Sequence, residues 1–153
     1  MDNADLLSPE RVRCQVDISS KKRALELLSE LISSSSDSLN SQDVFNCLVA
    51  REKLGSTGLG HGVAIPHGRM ADVKEAVGAV LTLQSGVDFD TPDRNAVDLI
   101  VGLIVPEEST DEHLHILSRL AECFSAPEKV EAIRQASTPE QICQLLGDAS
   151  LKV

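Results

Sequence analysis

Aromatic residues are nearly absent from this chain, which has no Trp, no Tyr and three Phe, Phe45, Phe89 and Phe124. Without aromatic platforms there is little on which bases could stack, and the core must be filled by Leu, Val, Ile and Ala. Basic charge is also in deficit: 14 Lys and Arg stand against 24 Asp and Glu, a formal net charge of −10. That balance opposes contact with phosphate backbones, so nucleic acid is not expected as a direct partner, and it suits basic protein surfaces. No apolar run approaches the roughly 20 residues needed to span a bilayer. Met1 to Pro9 is acidic where a signal peptide would be basic, so the expected compartment is the cytoplasm.

Other familiar signatures are missing too. The four cysteines, Cys14, Cys47, Cys123 and Cys143, form no C-x-x-C pair and are expected to be reduced, mostly buried small hydrophobes, with no metal site. No H-E-x-x-H occurs. Gly55-Ser56-Thr57-Gly58-Leu59-Gly60 lacks the G-K-[ST] ending of a nucleotide loop and has the wrong spacing for a dinucleotide fold. Ser56 or Thr57 beside His67 lacks the elbow of a hydrolase nucleophile.

What is present is 153 residues, 42% hydrophobic and 25% charged, which is ordinary globular usage and one domain's worth, spanning 1–153. Ser8-Pro9-Glu10 predicts a short helical turn, and Cys14 to Ile18 a short edge strand. Ala24, Leu25, Leu28, Leu31 and Ile32 recur at helical spacing from Lys21 to Ser33, and Ser41 is read as the cap of a second helix with Val44, Phe45, Leu48 and Val49 inward. Ala76–Leu83 and the β-branched run Val97–Val105 predict strands, the second central, with Asp90-Thr91-Pro92-Asp93 a turn between them. The last third reads as helical: a stripe of Leu114, Leu117, Leu120, Ala121 and Phe124, a helix opened by Pro127, and a capped one from Thr138-Pro139-Glu140-Gln141 that Gly147 stops. The fold class expected is α/β, one layered domain with a mixed parallel and antiparallel sheet flanked by helices.

Between these elements lies the least ordinary segment. Five glycines fall among the fourteen residues Gly55–Gly68, so short extended pieces joined by turns are expected there. It ends in Ile65-Pro66-His67-Gly68-Arg69. Pro66 stiffens the backbone before His67, and Gly68 leaves it bare after, so the imidazole is presented to whatever approaches. A neutral imidazole is a nucleophile suited to phosphoryl acceptance. A loop histidine without a role is the plain alternative.

His113 and His115 lie two apart on a helix and point about 200° away from each other, so they cannot share one site. His113 shares its side with Ile116, Leu117 and Leu120 and faces inward, near the amides of a helix start that favour an anion. It could equally be a core histidine bonded to a carbonyl. His115 shares its side with Ser118, Arg119 and Glu122 and faces solvent. Arg51 follows Leu48 and Val44 on the inward side of its helix, either as a cation at a helix C-terminus or as a guanidinium fork awaiting a phosphoryl group.

Taken together, Arg51-Glu52-Lys53-Leu54-Gly55-Ser56-Thr57-Gly58, Gly62-Val63-Ala64-Ile65-Pro66-His67-Gly68-Arg69 and His113-Leu114 resemble the enzyme IIA domains of the bacterial phosphoenolpyruvate phosphotransferase system, fructose/mannitol class. The resemblance covers about Leu6 to Leu146. It is strongest to the nitrogen-regulatory branch, on Leu6-Leu7-Ser8-Pro9-Glu10, Lys21-Lys22-Arg23-Ala24-Leu25-Glu26 and His113-Leu114-His115. It implies that His67 accepts a phosphoryl group from an HPr-like phosphocarrier protein, that His113 and Arg51 stabilise it, and that Ser56, Thr57 and Gly58 line the pocket, with Gly68 beside the ring. It implies no cofactor, and targets regulated by contact, such as potassium transporters or sensor kinases, in nitrogen and carbon balance. Passing phosphate to a sugar-specific IIB partner is the alternative. His61 departs from the family pattern, as a neutral surface change or as a competitor for the phosphoryl group.

Overall fold

The two apolar runs in the middle of the chain become the centre of the molecule. The computed structural model describes residues 6–71, 73–108 and 110–148, without the side chains of 110, 112, 147 and 148. Strands β5 (Val77–Val87) and β6 (Val97–Pro106) pair antiparallel, from Val77 against Ile104 to Val87 against Val97. Strand β1 (Val12–Val16) joins β5 in parallel. On the far side of β6 the chain lays down β2 (Gly58–Gly60), β3 (Val63–Ala64) and β4 (His67–Met70). β3 and β4 both run parallel to β6 and follow one another along it, Val63 against Leu99 and His67 against Leu103, while β2 pairs antiparallel with β3. The six-stranded sheet is mixed, as expected.

Helices cover both faces because β6 alternates. Ile100 and Ile104 face α1 (Lys21–Ser33) and α2 (Ser41–Lys53), packing with Ala24, Leu28, Ile32, Val44 and Leu48. Leu99, Val101, Leu103 and Val105 face α3 (Thr110–Phe124), α4 (Pro127–Gln135) and α5 (Pro139–Asp148), packing with Ile116, Leu120, Phe124, Ile133 and Ile142. On the first of these faces a Cβ at Gly102 would stand 3.0 Å from Leu28 Cδ2, so the helix is seated almost on the strand backbone.

Several caps follow from the sequence. Ser8 caps the 3-10 turn Pro9–Arg11, and Ser20 caps α1 by accepting from the Arg23 N–H. At α5 the box closes both ways: Thr138 Oγ1 accepts from Gln141 N at 3.2 Å, and Gln141 Oε1 accepts from Thr138 N at 3.2 Å. Other expectations need correction. The cap of α2 is Asn40, whose Oδ1 accepts from the amides of Gln42 and Asp43, and Ser41 is the first helical residue. α5 runs through Gly147 to Asp148. β1 begins two residues earlier than its alternation suggested, because Gln15, at φ 54, forms a bulge that breaks the pattern. Only Cys123 is buried; Cys14, Cys47 and Cys143 are half-buried, all four are free, and burial raises each thiol's pKa.

The stripe of α3 is also rotated from the expected one. Leu114 is 60% exposed and Ala121 is exposed, and the inward line runs His113, Ile116, Leu120, Cys123 and Phe124. Leu117 and Leu120 are compatible with either line, and the sheet selects the one that carries His113.

Candidate functional site

β4 carries His67 to the outer side of β6, where the C-terminal end of α2 and the N-terminal end of α3 converge. Pro66 can stand there because its missing N–H falls in the break between β3 and β4, while its carbonyl still accepts from Leu103 N at 3.0 Å. His67 lies opposite Leu103 and therefore faces the α3 side of the sheet. Gly68 faces the other side, where any Cβ would run into the Cys47 Sγ of α2. The pattern Pro-His-Gly thus has two jobs: one residue sets the break, and the other leaves room for a helix.

The two inward histidines meet. The His67 and His113 rings lie 5.3 Å apart between centroids at 74°, edge to face. His67 Nδ1 is 2.7 Å from the Ile65 carbonyl oxygen. A carbonyl can only accept, so Nδ1 carries the proton and Nε2 keeps its lone pair. His113 is 8% exposed, and its Nε2 is buried without a hydrogen-bond partner.

Electrostatics keep both rings neutral at physiological pH. Burial lowers the pKa of His67 most; the Ile65 carbonyl and Glu52 oppose this, and Arg51 and Arg69 add to it. Burial first, then the like charge that a protonated His67 would present and the charges of Arg69 and Arg51, push His113 down to about 4. Two uncharged imidazoles flanked by two guanidinium groups form a site short of negative charge.

Arg51 is half-buried and donates from Nη1 to Gly55 O at 2.9 Å, bracing the turn that leads into the glycine-rich segment. Ser56 is committed to structure: its Oγ donates to Phe89 O at 3.0 Å and accepts from Gly58 N at 3.1 Å. Thr57 is buried and its Oγ1 has no partner. Gly58 sits so close to Thr91 Cγ2 that a side chain has no room. His115 is half-exposed on the other side of α3. His61 is exposed, in the turn joining β2 to β3 at the end of β3 away from His67.

Two contributors escaped sequence reasoning as site residues. Arg69 was legible in principle, since it follows His67 by two along a strand and so shares its face. Glu52 was not: a carboxylate next to Arg51 reads as a surface charge until its burial, 5% side-chain exposure, is seen. Among the described residues no group of three or more His, Cys, Asp or Glu could hold a metal ion.

The family model described as "Phosphoenolpyruvate-dependent sugar phosphotransferase system, EIIA 2" matches residues 5–149. The chain belongs to this family. Among curated relatives, the nitrogen regulatory protein of Pseudomonas aeruginosa is 41% identical over 143 residues, covering 94% of this chain and 93% of that one. Among solved structures, the nitrogen regulatory protein IIA-Ntr of Neisseria meningitidis superposes with a TM-score of 0.89 at 45% identity, over 94% of this chain and 97% of that one. IIA mannitol from Escherichia coli shares the fold, with a TM-score of 0.77 at 21% identity over 92% and 98% of the two chains. The chain is thus an enzyme IIA-type protein of the phosphotransferase system, similar to the nitrogen regulatory members, and none of its described helices is long and apolar enough to cross a membrane.

Proposed function

We propose that this protein is one phosphotransfer unit that accepts a phosphoryl group on His67 Nε2 from an HPr-like phosphocarrier in the cytoplasm, and that it regulates target proteins according to its phosphorylation state. The observation that carries the reading is the fixed tautomer of His67, with Nδ1 bound to the Ile65 carbonyl and Nε2 available beside His113. In the transfer, the Nε2 lone pair attacks the phosphorus of the donor's phosphohistidine as the donor's P–N bond breaks, and that electron pair returns to the donor ring. The proton on His67 Nδ1 stays in place. No cofactor is needed, because such transfer is mainly positioning and charge stabilisation.

The added group brings close to two negative charges. Arg51 and Arg69 offset them, and His113 Nε2 and Thr57 Oγ1, both buried without partners, gain phosphoryl oxygens to bond. A protein donor is supported by the surface: the exposed large hydrophobic residues among those described are Leu54 at 84%, Leu59 at 44% and Leu114 at 60%, and each follows a site residue closely in the chain. The similarity to nitrogen regulatory proteins, at about twice the identity shared with IIA mannitol, favours regulation of targets such as potassium transporters or sensor kinases over sugar import.

Incubation with phosphoenolpyruvate, enzyme I and an HPr-like carrier, followed by intact mass, tests the reading. One phosphoryl adduct on the wild type and none on His67→Ala is the expected result. An unmodified wild type, where a family control is modified, would sink it.

A further inference from the structure

Two ionisable residues beside the site stand at helix ends that disfavour them. Lys21 opens α1, where the helix dipole is positive, and the first turn of α1 has no acidic residue to offset it. Glu52 lies in the last turn of α2, at the negative end of that helix. Neither placement serves its own helix, and each is satisfied by the other. Lys21 Nζ lies 3.0 Å from Glu52 Oε1, with the two side chains 19% and 5% exposed.

Glu52 does more than close this pair. Its Oε2 accepts the backbone N–H of Thr57 at 3.2 Å, while Oε1 has no aligned hydrogen-bond donor and is balanced by the ammonium charge. Lys21 is held in turn by the Phe89 carbonyl at 3.4 Å, the Phe89 ring at 4.7 Å and Asp90 Oδ2 at 3.6 Å. Ser56 Oγ donates to that same Phe89 carbonyl. Two consecutive residues of the glycine-rich loop, Ser56 and Thr57, are therefore tied to one cluster of Lys21, Glu52 and Phe89. Arg51, the neighbour of Glu52 in the chain, ties the preceding Gly55.

We propose that Glu52, held by Lys21, is a positioning residue for phosphoryl acceptance at His67: it fixes Thr57, whose carbonyl accepts the Ile65 N–H at 3.1 Å while the Ile65 carbonyl holds the imidazole, and it sets part of the charge that the incoming group meets. The inference rests on the phosphocarrier reading above. A buried carboxylate without a cation would repel the phosphoryl group, and a loop without the carboxylate would lose the anchor of its Thr57 amide. The pair resolves that conflict by keeping the acceptor and compensating its charge. Around His67 the charges of Arg51 and Arg69 favour the neutral ring and that of Glu52 the protonated one, with the His113 imidazole in contact.

Three variants of the full chain separate the parts. Glu52→Gln keeps an acceptor for the Thr57 amide but removes the charge; Glu52→Ala removes both; Lys21→Met leaves the carboxylate uncompensated. Single-turnover phosphorylation by the carrier should slow about 100-fold in Glu52→Ala, as for a misplaced pocket, and about tenfold in Lys21→Met, whose uncompensated carboxylate opposes the incoming group, while Glu52→Gln, which keeps the amide anchor, should slow less than Glu52→Ala. The carrier concentration at half-maximal rate should stay within about twofold, since the exposed leucines are untouched. In NMR titrations, the His67 midpoint should move down in both Glu52 variants and up in Lys21→Met, a pattern that a purely structural role would not produce. Glu52 variants that fold, accept phosphate at the wild-type rate and titrate at the wild-type midpoint would overturn the proposal. Should Glu52→Ala fail to fold, Glu52→Gln and Lys21→Met decide by the same readouts. A wild type that takes no phosphate would defeat the carrier reading alone; the His67 titration and the Thr57 amide shift would still decide whether Glu52 positions the loop.

Discussion

The β5–β6 hairpin and the segment from Gly55 to Met70 lie side by side in one sheet and are specified in opposite ways. The hairpin carries its own instructions: alternating apolar side chains, nearly all buried, pack against helices on both faces and fix its register. The segment from Gly55 to Met70 has strands of two to four residues that could not persist alone. Its order is imposed from outside, by Arg51 on Gly55, Phe89 on Ser56, Glu52 on Thr57, Arg134 on His61 and β6 on everything after it. A region specified by its neighbours can hold an imidazole open to a partner; a region specified by its own burial cannot.

The sharpest break of this comparison is a cavity in the hairpin. Ile100 is fully buried between β6 and the α1–α2 layer, so Ile100→Ala should lower stability by about 2–5 kcal/mol, read from urea unfolding. His67 of the variant that remains folded should still accept phosphate. A stability loss below about 1 kcal/mol would mean that the hairpin is not the dominant core element.

The next effect runs the other way. His113→Ala removes a buried ring whose Nε2 has no partner, so its stability cost should be small, while phosphoryl acceptance should fall about tenfold or more through loss of one stabilising contact. His115→Ala, on the opposite side of α3, should leave the rate within about twofold. Equal losses in the two variants would contradict the rotation of α3 that places His113 against His67.

That rotation also shows how much could be read in advance. The hairpin was legible as two continuous apolar runs, buried on both faces, and the helical layers were legible because their apolar residues recur at helical spacing. His67, His113 and Arg51 were legible as candidates because a helix face or a Pro-His-Gly frame constrains where a side chain points. The inward stripe of α3 was misread because Leu117 and Leu120 fit two registers, and only the sheet chooses between them. The strand expected over Ala76–Leu83 runs on to Val87, which pairs with Val97 across the hairpin, a long-range contact that local alternation does not show. Glu52 was invisible because its meaning depends on Lys21, which is 31 residues away in sequence and 3.0 Å away in space.

A smaller effect concerns pH. His113, held down to about 4 when folded, has an ordinary value near 6.5 when unfolded, so between those values the unfolded chain binds a proton that the folded chain refuses. Stability should be full above about pH 6.5 and fall as the pH drops toward 4, and His67, also lowered, should contribute in the same direction. Urea midpoints at pH 7 and pH 4.5 should differ less in His113→Phe than in the wild type. An unchanged difference would assign the acid sensitivity to other groups.

The smallest effect is expected at His61, within the segment whose shape comes from outside. Its backbone adopts φ 58 between Gly60 at φ 93 and Gly62 at φ 81, a left-handed run in which histidine is tolerated and asparagine is at least as comfortable. The turn is pinned through main-chain atoms: Arg134 donates to the His61 carbonyl oxygen and pairs with Asp98 at 2.9 Å. A substitution that preserves φ leaves this contact intact, so His61→Asn should change stability by less than about 0.5 kcal/mol. It should also leave phosphoryl uptake unchanged, because the exposed ring stands at the far end of β3 from His67 and no described contact joins it to His113 or Arg51. Residual phosphorylation of His67→Ala that disappears in His67→Ala/His61→Asn would reverse this conclusion and make His61 a second acceptor. It would also show that an imidazole needs only exposure here, and that the neighbours which frame His67 contribute less than their geometry implies.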